Sequence, residues 1–313
     1  VYDGVTATGV QLGGQGQAVI LDGGLRVSGQ VIAAAAKADA TALRFGAGAN
    51  APILANSGVL KATSTEAASV QAVRIEAGAV LPALNNTGAI TAGVAGSKGN
   101  ATAILDAAGA IRTLTNTNQI AASVTASGAE PVTGRAIALD LRANTAGVTM
   151  RQSANAASTI TPAITGDVLF GAGAARLELL AGKLDGAVAF GTGADVLVLD
   201  GGAKLTGALT DAGGGLSVEI VKGRLTATNA QAVALTRLNL GAGGELVMSL
   251  DPAAKASTRF DVAGAATLAA GAKIGLRLTS KLTEAQSYTL IKAGALTAGT
   301  LDQSLLGTTP WLY

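Results

Sequence analysis

The residues in this chain that could do chemistry are few, and most are aspartates beside glycines. Asp167, Asp185, Asp195, Asp200 and Asp211 fall close together. A glycan lyase or hydrolase needs carboxylates clustered on one face, often with Arg or Lys beside them. Calcium needs about six oxygens from stacked carboxylates and carbonyls. Gly191-Thr192-Gly193-Ala194-Asp195-Val196-Leu197 partly matches the glycine-rich calcium nonapeptide. However, Ala175 or Arg176 stands where the preceding unit would need a second aspartate. Aspartate beside glycine is also favoured at turns for purely local reasons. Asp195 therefore reads as a solvent-facing turn residue. The chain has 0 His and 0 Cys. Ser-His-Asp and Cys-His arrangements are impossible, as are zinc sites built on those ligands. No catalytic, cofactor-binding or metal residue is assigned, and no cofactor is expected. The expectation is a protein that is not an enzyme.

Cations recur at fixed spacing. Arg44 and Arg74 lie 30 apart, and Lys183, Lys204 and Arg224 follow at 21 and 20. They read as solvated charges guarding stacked strands, with contact to an acidic polysaccharide as the alternative. Nucleic-acid binding needs a basic stripe and stacking aromatics. The net charge is +2 and aromatics are 3%, so that class is excluded.

The elements that must carry these residues are repeats. Leu54-Ala55-Asn56-Ser57-Gly58-Val59-Leu60 is followed 30 residues on by Leu84-Asn85-Asn86-Thr87-Gly88-Ala89-Ile90. Leu114-Thr115-Asn116-Thr117-Asn118-Gln119-Ile120 comes after the same interval. Further along, the period shortens to 20. Gly166 to Gly173 is repeated as Gly186 to Gly193, and a third pass begins at Gly207. Each pass holds about three short alternating runs, which is the strand period. Short strands broken by glycine at a fixed period indicate stacked coils of a parallel β-helix.

Stacking places like over like. Asn56, Asn86 and Asn116 should form an amide ladder at a turn. Phe170 should stack on Phe190, and Leu184 on Leu205. The 30-residue units read as 20-residue coils with an extra loop, marked by Pro52 and Pro82. Residues 1–240 then give roughly ten coils and a rod on the order of 50 Å. Val31 to Ala42 has helical propensity as an alternative. With 43 glycines in 313 residues, tight β turns are favoured over helices. Val1 to Val31 reads as one more coil without an obvious polar cap. The chain starts at Val1 without a signal peptide and reads as a piece of a longer precursor.

From about Leu235 the pattern changes. Phe260-Asp261-Val262-Ala263-Gly264-Ala265-Ala266-Thr267-Leu268 leads to Gly271-Ala272-Lys273, then to Tyr288-Thr289-Leu290-Ile291-Lys292-Ala293. This stretch resembles the C-terminal passenger segment of Gram-negative autotransporters. The upstream coils resemble the passenger repeats of the same family. The resemblance implies a right-handed parallel β-helix exported through the periplasm and outer membrane by type V secretion. It implies coils over residues 1–234 and an autochaperone cap over residues 235–313, which folds first and templates the coils. The Gly-Asp-Ser-Gly motif of serine-protease passengers is absent. The family's membrane barrel is also missing, with the sequence stopping at Pro310-Trp311-Leu312-Tyr313.

The expected function is a secreted or cell-surface adhesin or scaffold. Its partners would be its own outer-membrane barrel and surface glycans or proteins. A self-associating filament and a glycan-active β-helical enzyme stand as alternatives.

Overall fold

The structure is a computed structural model that describes residues 3–126 and 128–306. The described residues contain strands and no α-helix. Val31 to Ala42, the stretch with helical propensity, is split between strands Gln30–Ala34 and Ala40–Phe45. Tertiary pairing overrides the alanine content there.

The chain winds as a parallel β-helix with three long sheets. A coil enters the first sheet with a strand such as Ser69–Ile75. It passes to the second with Ala83–Asn86 and to the third with Ala89–Ala95. Strand order within the three long sheets follows chain order in steps of one coil, with parallel pairing, except near the C-terminal end, where Arg259–Leu268 pairs with both Ala232–Leu235 and Arg237–Leu240. The third sheet has 11 strands. All but Ala256–Ser257 run parallel, which leaves ten from Gln30–Ala34 to Lys273–Leu278. At about 4.8 Å per step, the rod is on the order of 45 Å long.

Each inward position forms a column. Leu54, Leu84, Leu114, Met150, Leu177, Leu197, Val218 and Leu238 are successive register partners in the second sheet. All eight are completely buried. Leu184 lies on Leu205 in the third sheet, as expected. Phe170 and Phe190 stack with ring centroids 5.1 Å apart and planes 14° from parallel.

The extra residues of the 30-residue units do not form a loop, contrary to the sequence expectation. They mainly lengthen two strands. Val59–Thr65 has 7 residues where Lys183–Asp185 has 3. Ser69–Ile75 has 7 where Val188–Phe190 has 3. In a strand each added residue gains a ladder partner, whereas a buried loop would leave backbone groups unpaired. The longer first-sheet strands also turn a corner. Ala42–Leu43, Ala72–Val73 and Ala103–Ile104 are consecutive pairs with exposure of 1% or less. The register skips the alanine in each case. A solenoid strand has core on one side only, so two adjacent buried residues mark a bend.

Several corners require glycine for space. A Cβ on Gly88 would sit 2.1 Å from the Gly58 carbonyl oxygen, and one on Gly58 would sit 1.9 Å from that of Gly29. The third-sheet stack continues past residue 235. Glu245–Asp251 lies on Arg224–Ala227, and Lys273–Leu278 on Glu245–Asp251. Ile291–Ala298 then lies over Arg259–Leu268. Pro310, Trp311 and Tyr313 lie outside the described residues, as does Val1.

Candidate functional site

The five aspartates singled out by sequence do not converge. Asp167 takes Arg135 Nη2 at 3.0 Å and the Ala187 N–H at 3.1 Å. Asp185 pairs with Lys183 at 2.7 Å. Asp200 accepts from the Gly201 N–H. Asp211 accepts from Gly213 and Leu216, closing the corner after its strand. Each of these four carboxylates has a partner of its own. Among the described residues, no three carboxylates come together to hold a metal ion.

Asp195 differs from its expected solvent-facing position. It is 1% exposed. Oδ1 accepts the Ala175 N–H from the preceding coil at 2.6 Å, and Oδ2 is buried without a hydrogen-bond partner. Burial pushes its carboxyl above the ordinary value, against the Ala175 hydrogen bond, and the charge of Asp211 adds to the rise. Turn composition gave no sign of this, because the residue's surroundings belong to the neighbouring coil.

The asparagine ladder forms, on the inner side of the turn after the second-sheet strands. Asn56 Nδ2 donates to Asn86 Oδ1 at 2.8 Å, and Asn86 Nδ2 to Asn116 Oδ1 at 2.8 Å. Sequence reasoning missed its fourth rung. Asn116 Nδ2 donates to Gln152 Oε1 at 2.9 Å, and Gln152 Nε2 ends the chain on the Ala181 and Lys183 carbonyls. The signal was faint because the interval changes to 36 and the residue type changes too. All four side chains are buried, so the ladder is structural and offers no ligand contact.

The cation rows are largely neutralised. Arg44 and Arg74 are register partners, and both reach Glu76, at 2.8 Å and 3.1 Å. Lys183, Lys204 and Arg224 share a row that continues to Glu245 and Lys273. Glu245 takes Arg224 at 2.5 Å and Lys273 at 3.3 Å. Burial works against its charge, but the hydrogen bonds from Arg224 and Lys273 outweigh it and hold the carboxyl below its ordinary value. A simple positive stripe is therefore not what this face presents.

One of several concave features of similar size lies near the C-terminal end. An apolar groove of about 330 Å³ is lined by Leu250, Pro252, Leu276, Leu278, Leu282 and Tyr288, among others. Tyr288 also borders a polar cleft with Gln231, Lys255 and Arg259. The Tyr288 hydroxyl donates to Gln286 Oε1. Arg259 is held by Asp261 through two hydrogen bonds, at 2.8 Å and 2.7 Å. The arrangement offers an apolar wall, one aromatic ring and polar groups at the rim. That suits shallow binding better than acid–base chemistry. Sequence reasoning did not find the groove, since its walls come from three separated segments.

No known protein family, characterised protein or solved structure matches this chain.

Proposed function

We propose that this chain is the passenger of a Gram-negative autotransporter, a secreted or cell-surface rod that acts as an adhesin or surface scaffold without catalysis. The observation that carries the reading is the unbroken register of ten parallel strands in one sheet. A rod of this kind is stiff because each coil is fixed by columns of buried side chains. It presents long, repeated, shallow faces, which suit attachment to extended partners.

Three further features support it. Four of the five carboxylates that could have worked together are engaged by a nearby backbone N–H or cation, and Asp195 is buried with one oxygen on the Ala175 N–H. The absence of cysteine suits a chain that threads a pore. The segment from Leu235 continues the stack and overlays its end with Ile291–Ala298, as an autochaperone cap would. In this reading the partners are the chain's own outer-membrane barrel and surface glycans or proteins. The groove beside Tyr288 is the place of contact.

The test is display. The chain is fused to an outer-membrane barrel and exposed on bacteria, and attachment to glycan-coated surfaces is measured alongside release of soluble glycan fragments. Attachment without release supports the proposal. Release of fragments by the purified chain would move the reading to the glycan-active enzyme.

A further inference from the structure

The third sheet narrows part-way along the rod, in the interior of the sequence. Gln119–Thr125 pairs along its whole length with Ala89–Ala95 of the preceding coil. On its other side only Gln119, Ile120 and Ala121 have partners, in Ala163–Thr165. Ala122–Thr125 runs on as an edge with no strand beside it among the described residues. Backbone groups of a parallel strand turn to alternate neighbours. The Gln119 N–H and the Thr125 carbonyl bond to the preceding coil, at Gly88 and Gly96. By that alternation the N–H and C=O of Val124 turn to the open side. An inward column ends there too. Val94 is 2% exposed, whereas its register partner Val124 is half-buried.

The chain closes comparable places with its own residues. Glu245–Asp251 overhangs Arg224–Ala227 at Ser249, Leu250 and Asp251. Ala256–Ser257 folds back to pair antiparallel with Leu250 and Asp251, on the side opposite Lys273–Leu278. Leu209 lies in the strand that ends the first sheet, and Asn229 holds both of its backbone groups. Asn229 Oδ1 takes the Leu209 N–H at 2.9 Å, and Nδ2 donates to the Leu209 carbonyl at 2.7 Å. No described strand or side chain closes Ala122–Thr125 in this way. The segment after it is tied toward the preceding coil instead. The Ser97 carbonyl accepts the Thr133 and Gly134 N–H groups at 2.8 Å, and Lys98 pairs with Glu130 at 3.5 Å.

The space beside the edge limits what fits there. The next four strands of this sheet stop level with Ala121 or one residue beyond it. The first to pass that level is Glu245–Asp251, five ladder steps from Gln119–Thr125. Ala256–Ser257 fills the step next to it. At about 4.8 Å per step, the recess takes about three strands. A second rod paired through the same edge would bring four stacked strands, from Gln119–Thr125 back to Gln30–Ala34, and would overfill it. The chain leaves the short strands at Gly166 and Gly186, so the recess is flanked by residues without side chains.

We propose that Ala122–Thr125 is the docking edge for an extended segment of another polypeptide. The segment adds antiparallel to the third sheet, as Ala256–Ser257 does at the other overhang. Its residues opposite Ala122 and Val124 are small or β-branched apolar groups that continue the inward columns. The residue opposite Ser123 is polar, because Ser123 is exposed. The proposal stands on the fold alone and does not depend on the passenger reading.

The test uses the full chain and capped synthetic hexapeptides that alternate Val or Ala with Thr or Ser. Binding is read by fluorescence anisotropy, and hydrogen exchange is read at the Val124 amide. That amide should exchange fast in the free chain and slowly with peptide bound. Val124→Pro removes the N–H on the open side, where an edge strand tolerates proline. It should weaken binding about tenfold or more, and circular dichroism checks that the fold is kept. If Val124→Pro does not fold, N-methylated peptides decide on the unaltered chain. Methylation at the apolar positions should abolish binding, and methylation at the polar positions should leave it. A Val124 amide protected in the free chain would show the edge already covered, by this chain or a second copy, and would overturn the proposal. So would no binding at peptide concentrations on the order of 1 mM, or binding that neither proline nor N-methylation alters.

Discussion

Asn86 Nδ2 lies 2.8 Å from Asn116 Oδ1, while Asn86 Oδ1 receives Asn56 Nδ2 at the same distance. Thirty residues of chain separate each pair, yet the three amides form one buried line. Removing the middle rung leaves polar atoms of both neighbours poorly satisfied in the core. Asn86→Ala should cost about 1–3 kcal/mol, read from denaturant midpoints. Asn86→Asp should cost more at neutral pH, since a carboxylate cannot donate to Asn116. Its deficit should shrink in acid, where a protonated carboxyl can donate.

Asp195 should show the opposite pH sense from an ion-paired carboxylate. Burial raises its carboxyl above the ordinary value, so the folded chain holds the proton more tightly than the unfolded chain. Its contribution to stability is full below the ordinary carboxylate value and is lost as pH rises through the raised one. Asp195→Asn keeps an acceptor for the Ala175 N–H and carries no charge. The stability of the variant relative to the native chain should therefore improve between about pH 4 and about pH 7. Urea titrations at several pH values measure this. A difference independent of pH would show that Asp195 does not titrate abnormally.

Phe170 and Phe190 should be energetically coupled. Each is buried, and their rings stack at 5.1 Å. Single Phe→Ala variants should each cost about 3–5 kcal/mol. A double-mutant cycle should give a coupling of about 0.5–1.5 kcal/mol. Additive costs would mean that the stack contributes nothing beyond burial.

Gly88→Ala should be costly and Gly29→Ala close to neutral. A Cβ on Gly88 would meet the Gly58 carbonyl oxygen at 2.1 Å, whereas one on Gly29 would have nothing within 4 Å. The expected loss at Gly88 is at least about 2 kcal/mol. Thermal unfolding of the two variants side by side tests this. Equal effects would contradict the close coil-to-coil contact at that corner.

The parts of the fold legible in the sequence were those in which one residue type repeats at one interval. Asn56, Asn86 and Asn116 keep both type and interval, and so do Phe170 with Phe190 and Leu184 with Leu205. Gln152 continues the ladder with a changed residue and a changed interval, so the pattern hid it. Apolar doublets such as Ala72-Val73 and Ala103-Ile104 were present in the sequence, but alternation reasoning treats them as noise when they mark corners. The burial of Asp195 was illegible because its hydrogen-bond partner, Ala175, is 20 residues away. The C-terminal groove was illegible for a related reason. Leu250, Leu276 and Tyr288 share a wall only once three segments are folded together.

Pulse-labelled hydrogen exchange during refolding of the full chain tests whether the rod folds from its C-terminal segment, as the proposed passenger would. Amides in Glu245–Asp251, Arg259–Leu268 and Lys273–Leu278 should gain protection first. Ile53–Asn56 and Val59–Thr65 should follow later, coil by coil. Protection that begins in the N-terminal coils, or appears everywhere at once, would contradict a templating cap and with it the passenger reading.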